Sequence, residues 1–441
     1  MTGARRWAGF WLAVIVTGLG TGLATAALMD LLYLVQHTLW PGAGMDILDA
    51  ATRASWQRHL AVLLGAGLVT GLGQLLLGRL PSGNSTDVVA AISLHGGRLP
   101  VPRALGGAVL SIVVVGMGAS LGREGAPKQA GAAIANVASD RARLSDEERR
   151  LLVACGAGAG FAAAYGVPLG GALFALEVLR GRLALHFVIP ALVTSLTATG
   201  VAWAFLPNAP TYAIPAYDGS FSAAAWALVA GPIAGLVSVL FIRAVAWTTH
   251  LRPQGGWRIA APVLALGLLG AASIVFPQLL GNGRDVAGLA LAGQVTPLLL
   301  LVLLFLRPAA SLMCLGSGVP GGLFTPSLAL GALLGGVLGV PWSLLWPGVL
   351  PGLFAVLGAA AVLAATTQGP LSTVVLVIEL TGQARSFILP LLIVVAIATL
   401  VARAIETRSI YDARLSDAEV EERRRQRALT PGSDANLKER D

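Results

Sequence analysis

Long apolar runs, separated by short charged or Gly- and Pro-rich breaks, make up most of this chain. Some runs, such as Trp11 to Leu39, are long enough for a helix to cross a bilayer, which takes ~20 residues. Others, such as Leu151 to Ala164, are too short to cross alone. The pattern therefore predicts an all-α membrane protein in which crossing helices are mixed with short, tilted or broken ones. The predicted helical runs are Trp11 to Leu39, Ala61 to Leu77, Val88 to Leu94, Ala104 to Val115, Leu151 to Ala164, Pro168 to Leu179, Val188 to Leu206, Phe221 to Thr249, Ile259 to Phe276, Leu298 to Leu306, Ser327 to Leu338, Leu353 to Thr366, Pro370 to Thr381 and Phe387 to Ile405.

Three breaks in this pattern each lead into an apolar, small-residue run. They are Pro81 to Asp87, Ser120 to Gly131 and Gly316 to Pro326, and each combines glycine and proline with polar residues. Such composition predicts a helix that starts inside the membrane, where its unpaired N–H groups attract anions. The sequence therefore predicts up to three anion-attracting helix starts.

The second break also carries charge, in Arg123, Glu124 and Lys128. A charged side chain at the bilayer centre costs on the order of 2.5 to 3.5 kcal/mol or more, so it normally marks a pathway or a partner. Glu124 beside a helix start predicts a gate, because the carboxylate competes with an anion when ionised and can leave when protonated. The alternative is an ion pair of Glu124 with Arg123 or Lys128. Lys128 itself either reaches inner water, the favoured interpretation, or adds positive potential to a vestibule.

The composition agrees with a polytopic membrane protein, since 56% of the 441 residues are hydrophobic and only 12% are charged. The net charge of +8 could indicate nucleic-acid binding, but the arginines stand at the ends of apolar runs, where topology explains them. The two cysteines, Cys155 and Cys314, lie in apolar stretches without further ligands at metal spacing. No metal site, cofactor signature or nucleic-acid partner is expected.

Positive charge also predicts the topology. Arg5 and Arg6 precede the first span without a cleavage pattern, which favours a retained, cytoplasmic N-terminus. Charged segments such as Ser139 to Arg150, with Ser145 as a helix cap, are expected to be inner loops. Asp412 to Asp441 predicts a short cytoplasmic helix followed by a tail. The expected division is 1–7 cytoplasmic N-terminus, 8–206 first membrane repeat, 207–220 outer loop, 221–405 second membrane repeat, and 406–441 cytoplasmic helix and tail without CBS domains.

The chain looks duplicated. Gly156 to Glu177 and Gly358 to Glu379, compared at an offset of 202, share eight of 22 residues. The matches include the Pro-Leu pair that opens the second short helix and the terminal glutamate. Two repeats whose broken helices meet at the midplane are a common plan for transport proteins.

Three segments resemble the pore motifs of the CLC family of chloride channels and chloride/proton antiporters. They are Ser82-Gly83, Gly122-Arg123-Glu124-Gly125 and Gly322-Leu323-Phe324-Thr325-Pro326, in the family's order and spacing. The resemblance covers roughly residues 8 to 415. It implies a CLC-type fold of two inverted repeats, a homodimer with one pore per subunit, and a multi-pass protein of the inner (plasma) membrane with both termini cytoplasmic.

The resemblance also implies roles for individual residues. Glu124 would be the gating glutamate, and the hydroxyls of Ser82 and Tyr411 would touch the central anion. Without the resemblance, Ser82 would be a helix cap and Tyr411 an interfacial anchor. The implied anion-binding positions are Ser82, Gly83, Gly125, Leu323, Phe324 and Tyr411.

Two departures from the family pattern bear on function. The first motif continues Asn84-Ser85-Thr86 and lacks the usual proline, so its helix start is expected to differ locally. More consequentially, Val178 stands where proton-coupled exchangers of the family usually place an inner glutamate, and valine cannot carry a proton. Neighbouring Glu177 points about 100° away on a helix, and an ion pair with Arg180 is its expected role.

The sequence thus predicts a transport protein and not an enzyme. Chloride or a similar monovalent anion would move passively, or with weak proton coupling, through a pore gated by Glu124. The alternative is a chloride/proton antiporter with an inner proton route other than Val178. A distant alternative is an intramembrane serine protease, because Gly118-Ala119-Ser120-Leu121-Gly122 fits a nucleophile elbow, although no histidine is placed to serve Ser120.

Overall fold

The structure is a computed structural model, and it describes residues 3–42, 47–81, 87–383 and 386–429. These residues form helices joined by short connections, and the described part contains no β-strand beyond one isolated bridge. The α-helices are α1 Gly3–Leu39, α2 Leu48–Arg53, α3 Trp56–Gly78, α4 Val88–Leu94, α5 Val101–Gly116, α6 Gly125–Arg141, α7 Asp146–Tyr165, α8 Pro168–Phe174, α9 Leu185–Ala202, α10 Phe221–His250, α11 Trp257–Val275, α12 Arg284–Leu291, α13 Pro297–Gly316, α14 Phe324–Leu345, α15 Pro351–Thr367, α16 Pro370–Thr381, α17 Ile388–Ile405 and α18 Asp417–Leu429.

Several helices are long and apolar enough to cross a membrane, and the shorter ones lie among them. A π-helical turn, Ala175–Arg180, extends α8. The all-α, polytopic fold predicted from the sequence is confirmed. The eight candidate spans in the described residues are Arg5–Leu39, Trp56–Gly78, Leu185–Ala202, Phe221–His250, Trp257–Val275, Pro297–Gly316, Phe324–Leu345 and Ile388–Ile405.

Helix boundaries differ from the ends of the apolar runs where polar residues form the first turn of a helix. Helix α7 begins at Asp146, ahead of the apolar run that starts at Leu151, because Ser145 and Glu148 form a capping box. The Ser145 backbone N–H donates to the Glu148 carboxylate at 2.8 Å. Ser145 is therefore a cap, as predicted, and α7 reaches 20 residues.

Equivalent helices of the two halves pack in equivalent ways. Helix α6 packs along α7 as α14 packs along α15, and α1 packs on α9 as α10 packs on α17. The close crossings need small residues: a Cβ on Gly131 of α6 would collide with the Gly156 carbonyl of α7. Small residues let helix backbones approach where lipid gives no hydrophobic drive between helices.

The two halves meet at α8 and α16, through two glutamates. Glu177, in the π-helical turn after α8, accepts hydrogen bonds from the N–H groups of Leu371 (3.1 Å) and Ser372 (2.6 Å) at the start of α16. Glu379 of α16 accepts in turn from Leu169 (3.1 Å) and Gly170 (2.7 Å) at the start of α8. Since each helix end caps the other helix start, α8 and α16 run antiparallel, as inverted repeats require.

The predicted ion pair between Glu177 and Arg180 is wrong. Arg180 pairs instead with Glu147 of α7. The backbone donors of α16 take the Glu177 carboxylate because a helix start offers several unpaired N–H groups at once.

Removing either cap is expected to destabilise the fold by about 1 kcal/mol, the usual contribution of a helix cap. Glu177→Ala and Glu379→Ala should each lower the midpoint of thermal unfolding in detergent. Because the two caps lie at opposite ends of the helix pair, their effects should add. The control is Glu421→Ala, which removes an exposed carboxylate of α18. An unchanged midpoint in either variant would contradict the role assigned to its glutamate.

Candidate functional site

The second and third breaks of the sequence meet through their backbones. Gly122 and Gly322 form an antiparallel bridge in which each N–H donates to the other's carbonyl at 2.8 Å. Helix α6 starts at Gly125 and α14 at Phe324, immediately after the bridged segments. The bridge therefore brings two helix starts, with their unpaired donors, to one buried point.

Glu124 fills the space between these helix starts. Its Oε1 accepts the Phe324 N–H at 2.8 Å, and its Oε2 accepts the Thr325 hydroxyl at 3.1 Å. The side chain of Glu124 is almost fully buried, with 2% exposure. A carboxylate thus occupies donors at the start of α14, where a helix favours negative charge.

The absence of side chains at Gly122 and Gly322 makes room for this arrangement. A Cβ on either glycine would collide with the carboxyl group of Glu124. The two glycines of the bridge are therefore required by the seated glutamate as well as by the close approach of the two backbones.

A third polar group at the carboxylate, the hydroxyl of Tyr165, was missed by the sequence analysis. Its hydroxyl lies 3.3 Å from Glu124 Oε2 and 2.7 Å from the Thr325 hydroxyl. Tyr165 is the last residue of α7, at the end of an alanine-rich run that reads as plain packing. The sequence offered one signal for Tyr165, namely a single phenol at the end of this alanine-rich run.

The neighbouring cations each lie over an aromatic ring. The Arg123 guanidinium lies over the Tyr165 ring, 5.1 Å from its centroid, and donates to the Ala164 carbonyl at 3.5 Å. The Lys128 ammonium lies 4.3 Å from the centroid of the Tyr411 ring. The gating role of Glu124 stays a prediction, and Lys128 lies beside Tyr411, another predicted anion contact.

Tyr411 follows α17 in a buried loop. Its ring packs edge-on against Phe174 of α8, with centroids 5.7 Å apart. Among the described residues its hydroxyl makes no hydrogen bond, so the phenol is available as a donor. The preceding residue, Ile410, fixes the backbone by donating to the Thr366 carbonyl at 2.7 Å.

The segment after Tyr411 is clasped by the C-terminal helix. Asp412 accepts from the Ser409 N–H at 3.1 Å and pairs with Arg423 of α18. Arg423 also donates to the carbonyls of Val178 (3.2 Å) and Leu179 (3.3 Å). We call Asp412 and Arg423 the C-terminal clasp. It ties α18 to both the Tyr411 loop and the π-helical turn.

Just outside the last span, Glu406 anchors the same loop. Burial disfavours its charged form, but hydrogen bonds from Arg408 outweigh this and lower the pKa of Glu406. The carboxylate also accepts from Arg243 of α10 at 3.4 Å. The loop that carries Tyr411 is therefore held at both of its ends.

The first break is only partly described. Ser82 and Gly83, the predicted anion contacts there, lie outside the described residues. Helix α4 begins at Val88, and the carboxylate of Asp87 accepts the N–H groups of Val89 (2.8 Å) and Ala90 (3.2 Å). These two donors are therefore occupied by the protein itself.

The position of the family's inner proton glutamate is apolar, as the sequence states. Val178 is buried in the π-helical turn and lines a cavity of about 480 Å³. Glu177, Asp412 and Arg403 also line this cavity. Polar groups thus lie near Val178. The carboxylate of its sequence neighbour, Glu177, already accepts hydrogen bonds from the start of α16.

Among the described residues, no histidine forms a hydrogen bond with the Ser120 hydroxyl. This hydroxyl is buried and lies 3.4 Å from the Ser311 hydroxyl. His59, the histidine buried in the described part, has its Nδ1 2.7 Å from the Ser273 hydroxyl. A protease needs a base on its nucleophile, so this arrangement does not support the distant alternative.

Comparisons with known proteins show the family of this chain. A family model described as voltage gated chloride channel matches residues 65–403. A putative chloride channel protein ClcB-like from Ralstonia nicotianae is 32% identical over 412 residues, which cover 89% of this chain and 94% of that protein. An H(+)/Cl(-) exchange transporter ClcA from Vibrio parahaemolyticus is 33% identical over 314 residues, covering 67% of this chain and 66% of the relative.

Solved structures share the fold. The structure of a slow cyanobacterial Cl⁻/H⁺ antiporter matches with a TM-score of 0.81 and 24% identity, over 96% of this chain and 99% of that one. A CLC-type fluoride/proton antiporter matches with a TM-score of 0.73 and 21% identity, over 92% and 98% of the two chains. At such identities the likeness extends to the fold alone.

Proposed function

Since this chain belongs to the voltage-gated chloride channel family, a family of membrane proteins for chloride transport, we propose that it moves chloride passively through a pore gated by Glu124. The observation that carries the proposal is the Glu124 carboxylate on the Phe324 N–H at 2.8 Å. A negative group placed on an anion-attracting helix start blocks an anion for as long as it stays there.

The proposed anion row continues from Glu124 toward Tyr411. The free phenol of Tyr411, the nearby Lys128 ammonium and the donors at the start of α14 all favour a negative ion. Ser82, Gly83, Gly125 and the Leu323 N–H remain proposed contacts in this row. Chloride fits because a small anion can accept hydrogen bonds from several of these donors at once, and such bonds to a charged acceptor are strong.

Weak or absent proton coupling is the second part of the proposal. Val178 offers no titratable group, and the Glu177 carboxylate is held by two backbone N–H groups of α16. A proton carrier at Glu177 would have to release these donors each time it was protonated. The inner half of the pathway therefore favours anion movement without a proton.

Chloride efflux from proteoliposomes, recorded together with external pH, tests this part. We expect chloride to leave down its gradient with no accompanying proton movement. Val178→Glu is the informative variant, because it supplies the missing carboxyl group beside the cavity. Uphill proton movement driven by chloride in the wild type would contradict passive transport, whereas no chloride flux at all would contradict the family-based function.

A chloride/proton antiporter is the second candidate. The cavity beside Val178 favours it, because Glu177 and Asp412 line a space large enough for water. Water bridged between carboxylates could bring protons past a valine. A fixed ratio of protons to chloride in the same flux experiment would select this candidate.

Assembly and placement complete the proposal. The family resemblance implies a homodimer with one pore per subunit, placed in the inner (plasma) membrane with both termini cytoplasmic. Leu169 and Leu371, at equivalent positions of α8 and α16, expose 48% and 56% of their surface and offer an apolar face to a second subunit. The molar mass of the purified protein, measured by light scattering, tests the dimer.

A further inference from the structure

The hydroxyl groups of Tyr165 and Thr325 form a connected pair on the gating carboxylate. Their oxygens are 2.7 Å apart, and both lie within hydrogen-bond distance of Glu124 Oε2, at 3.3 and 3.1 Å. Tyr165 is 4% exposed and Thr325 1% exposed, so water does not compete for these groups. Hydrogen bonds to a charged acceptor are stronger when they are shielded from water and linked in a chain.

The proton count makes this arrangement sensitive to the charge of Glu124. Each hydroxyl brings one proton. An ionised carboxylate can therefore accept a hydrogen bond from Thr325, while Tyr165 donates either to Glu124 Oε2 or to the Thr325 hydroxyl oxygen. A protonated carboxyl group brings a third proton and gives up one of its acceptor positions. The pair therefore satisfies the ionised, seated glutamate better than the neutral one.

Both hydroxyls are held in place by elements other than the one that carries Glu124. Tyr165 ends α7, and its backbone carbonyl accepts the Thr211 hydroxyl at 3.0 Å. Thr325 lies in the first turn of α14, directly after Phe324. The pair can therefore stay fixed while the glutamate side chain moves.

We propose that the Tyr165 and Thr325 hydroxyls are a latch on the gate: they stabilise the seated Glu124 carboxylate and so set how often the pore opens. Tyr165 acts here as a positioning residue, through the glutamate and not through the anion. The latch rests on the proposed gating role of Glu124. It adds to that role two residues whose hydroxyls contact the Glu124 carboxylate.

The test is chloride efflux from proteoliposomes containing Tyr165→Phe, which removes only the hydroxyl. We expect efflux to rise about tenfold, equivalent to about 1.4 kcal/mol of lost stabilisation of the seated state. Thr325→Val should act in the same direction, and Thr325→Ser, which keeps a hydroxyl, should stay near wild type. Tyr217→Phe is the matched control, because its buried hydroxyl donates to the Leu291 carbonyl instead.

The Glu124→Ala background separates a latch on the carboxylate from other roles of the Tyr165 hydroxyl. In Glu124→Ala protein there is no carboxylate to hold, so adding Tyr165→Phe should change efflux by less than about twofold. An equal rise in both backgrounds would overturn the latch, since the hydroxyl would then act on the anion itself. If efflux rose in Glu124→Ala but stayed at the wild-type rate in Tyr165→Phe, the latch would also be overturned. If Glu124→Ala left efflux unchanged, both the gate and the latch would be overturned.

Discussion

Glu124→Ala is expected to raise chloride efflux from proteoliposomes by about tenfold or more. The substitution removes the carboxylate from the Phe324 N–H and the Thr325 hydroxyl, and frees these donors for chloride. Each hydrogen bond to the charged group contributes about 1.5 to 3 kcal/mol, and about 1.4 kcal/mol already corresponds to a tenfold change. The seated state that blocks the pore would no longer exist.

Two comparisons make this result specific. Glu124→Gln keeps the shape of the side chain without its charge and should fall between wild type and Glu124→Ala. Glu419→Ala, an exposed carboxylate of α18 that accepts from the Ser416 N–H, should behave like wild type. Efflux at or below the wild-type rate in Glu124→Ala would contradict a gate.

Arg423→Gln is expected to lower the free energy of unfolding by about 3 kcal/mol, a large effect for one residue of the C-terminal helix. The side chains of Arg423 and Asp412 are 4% and 9% exposed, so losing the cation leaves a buried carboxylate without its ion pair. The carbonyls of Val178 and Leu179 lose donors as well. Chemical unfolding of the purified protein in detergent measures the change.

Arg425 provides the control for the C-terminal clasp. It lies on the same helix with 67% of its side chain exposed, and its ion pair with Glu421 is solvent-exposed. Arg425→Gln should therefore change stability by less than about 0.5 kcal/mol. In Asp412→Asn/Arg423→Gln the loss should be smaller than the sum of the single losses, because no unpaired charge remains. Equal effects of Arg423→Gln and Arg425→Gln would contradict a buried clasp.

The sequence singled out Glu124 but not the side chains around it. Glu124 was recognisable because a charge in an apolar chain is costly, and the Phe324 N–H followed from the family resemblance. Tyr165 was missed because its partners, Glu124 just before α6 and Thr325 of α14, are far away in the chain. The bridge between Gly122 and Gly322 brings these partners close to Tyr165. Nothing in the alanine-rich sequence around Tyr165 indicates that contact.

The same reason explains the error at Glu177. Arg180 was the nearest cation in sequence, whereas the backbone donors that Glu177 binds lie 194 and 195 residues away. The duplication held the missing information, since Glu177 and Glu379 occupy the same place in the two repeats. A buried role for Arg423 had no such signal, because the arginine-rich segment around it looks like a solvated helix.

The reciprocal caps of α8 and α16 also bear on how this chain arose. Two separate copies of a half-length protein, facing each other across a two-fold axis, would make both caps with a single glutamate, because a contact of this symmetry forms every bond twice. Fusion of two gene copies would then have turned a contact between molecules into one within a chain, at a high effective concentration. Glu177 and Glu379 are what such an ancestral dimer interface would leave behind, now free to diverge separately.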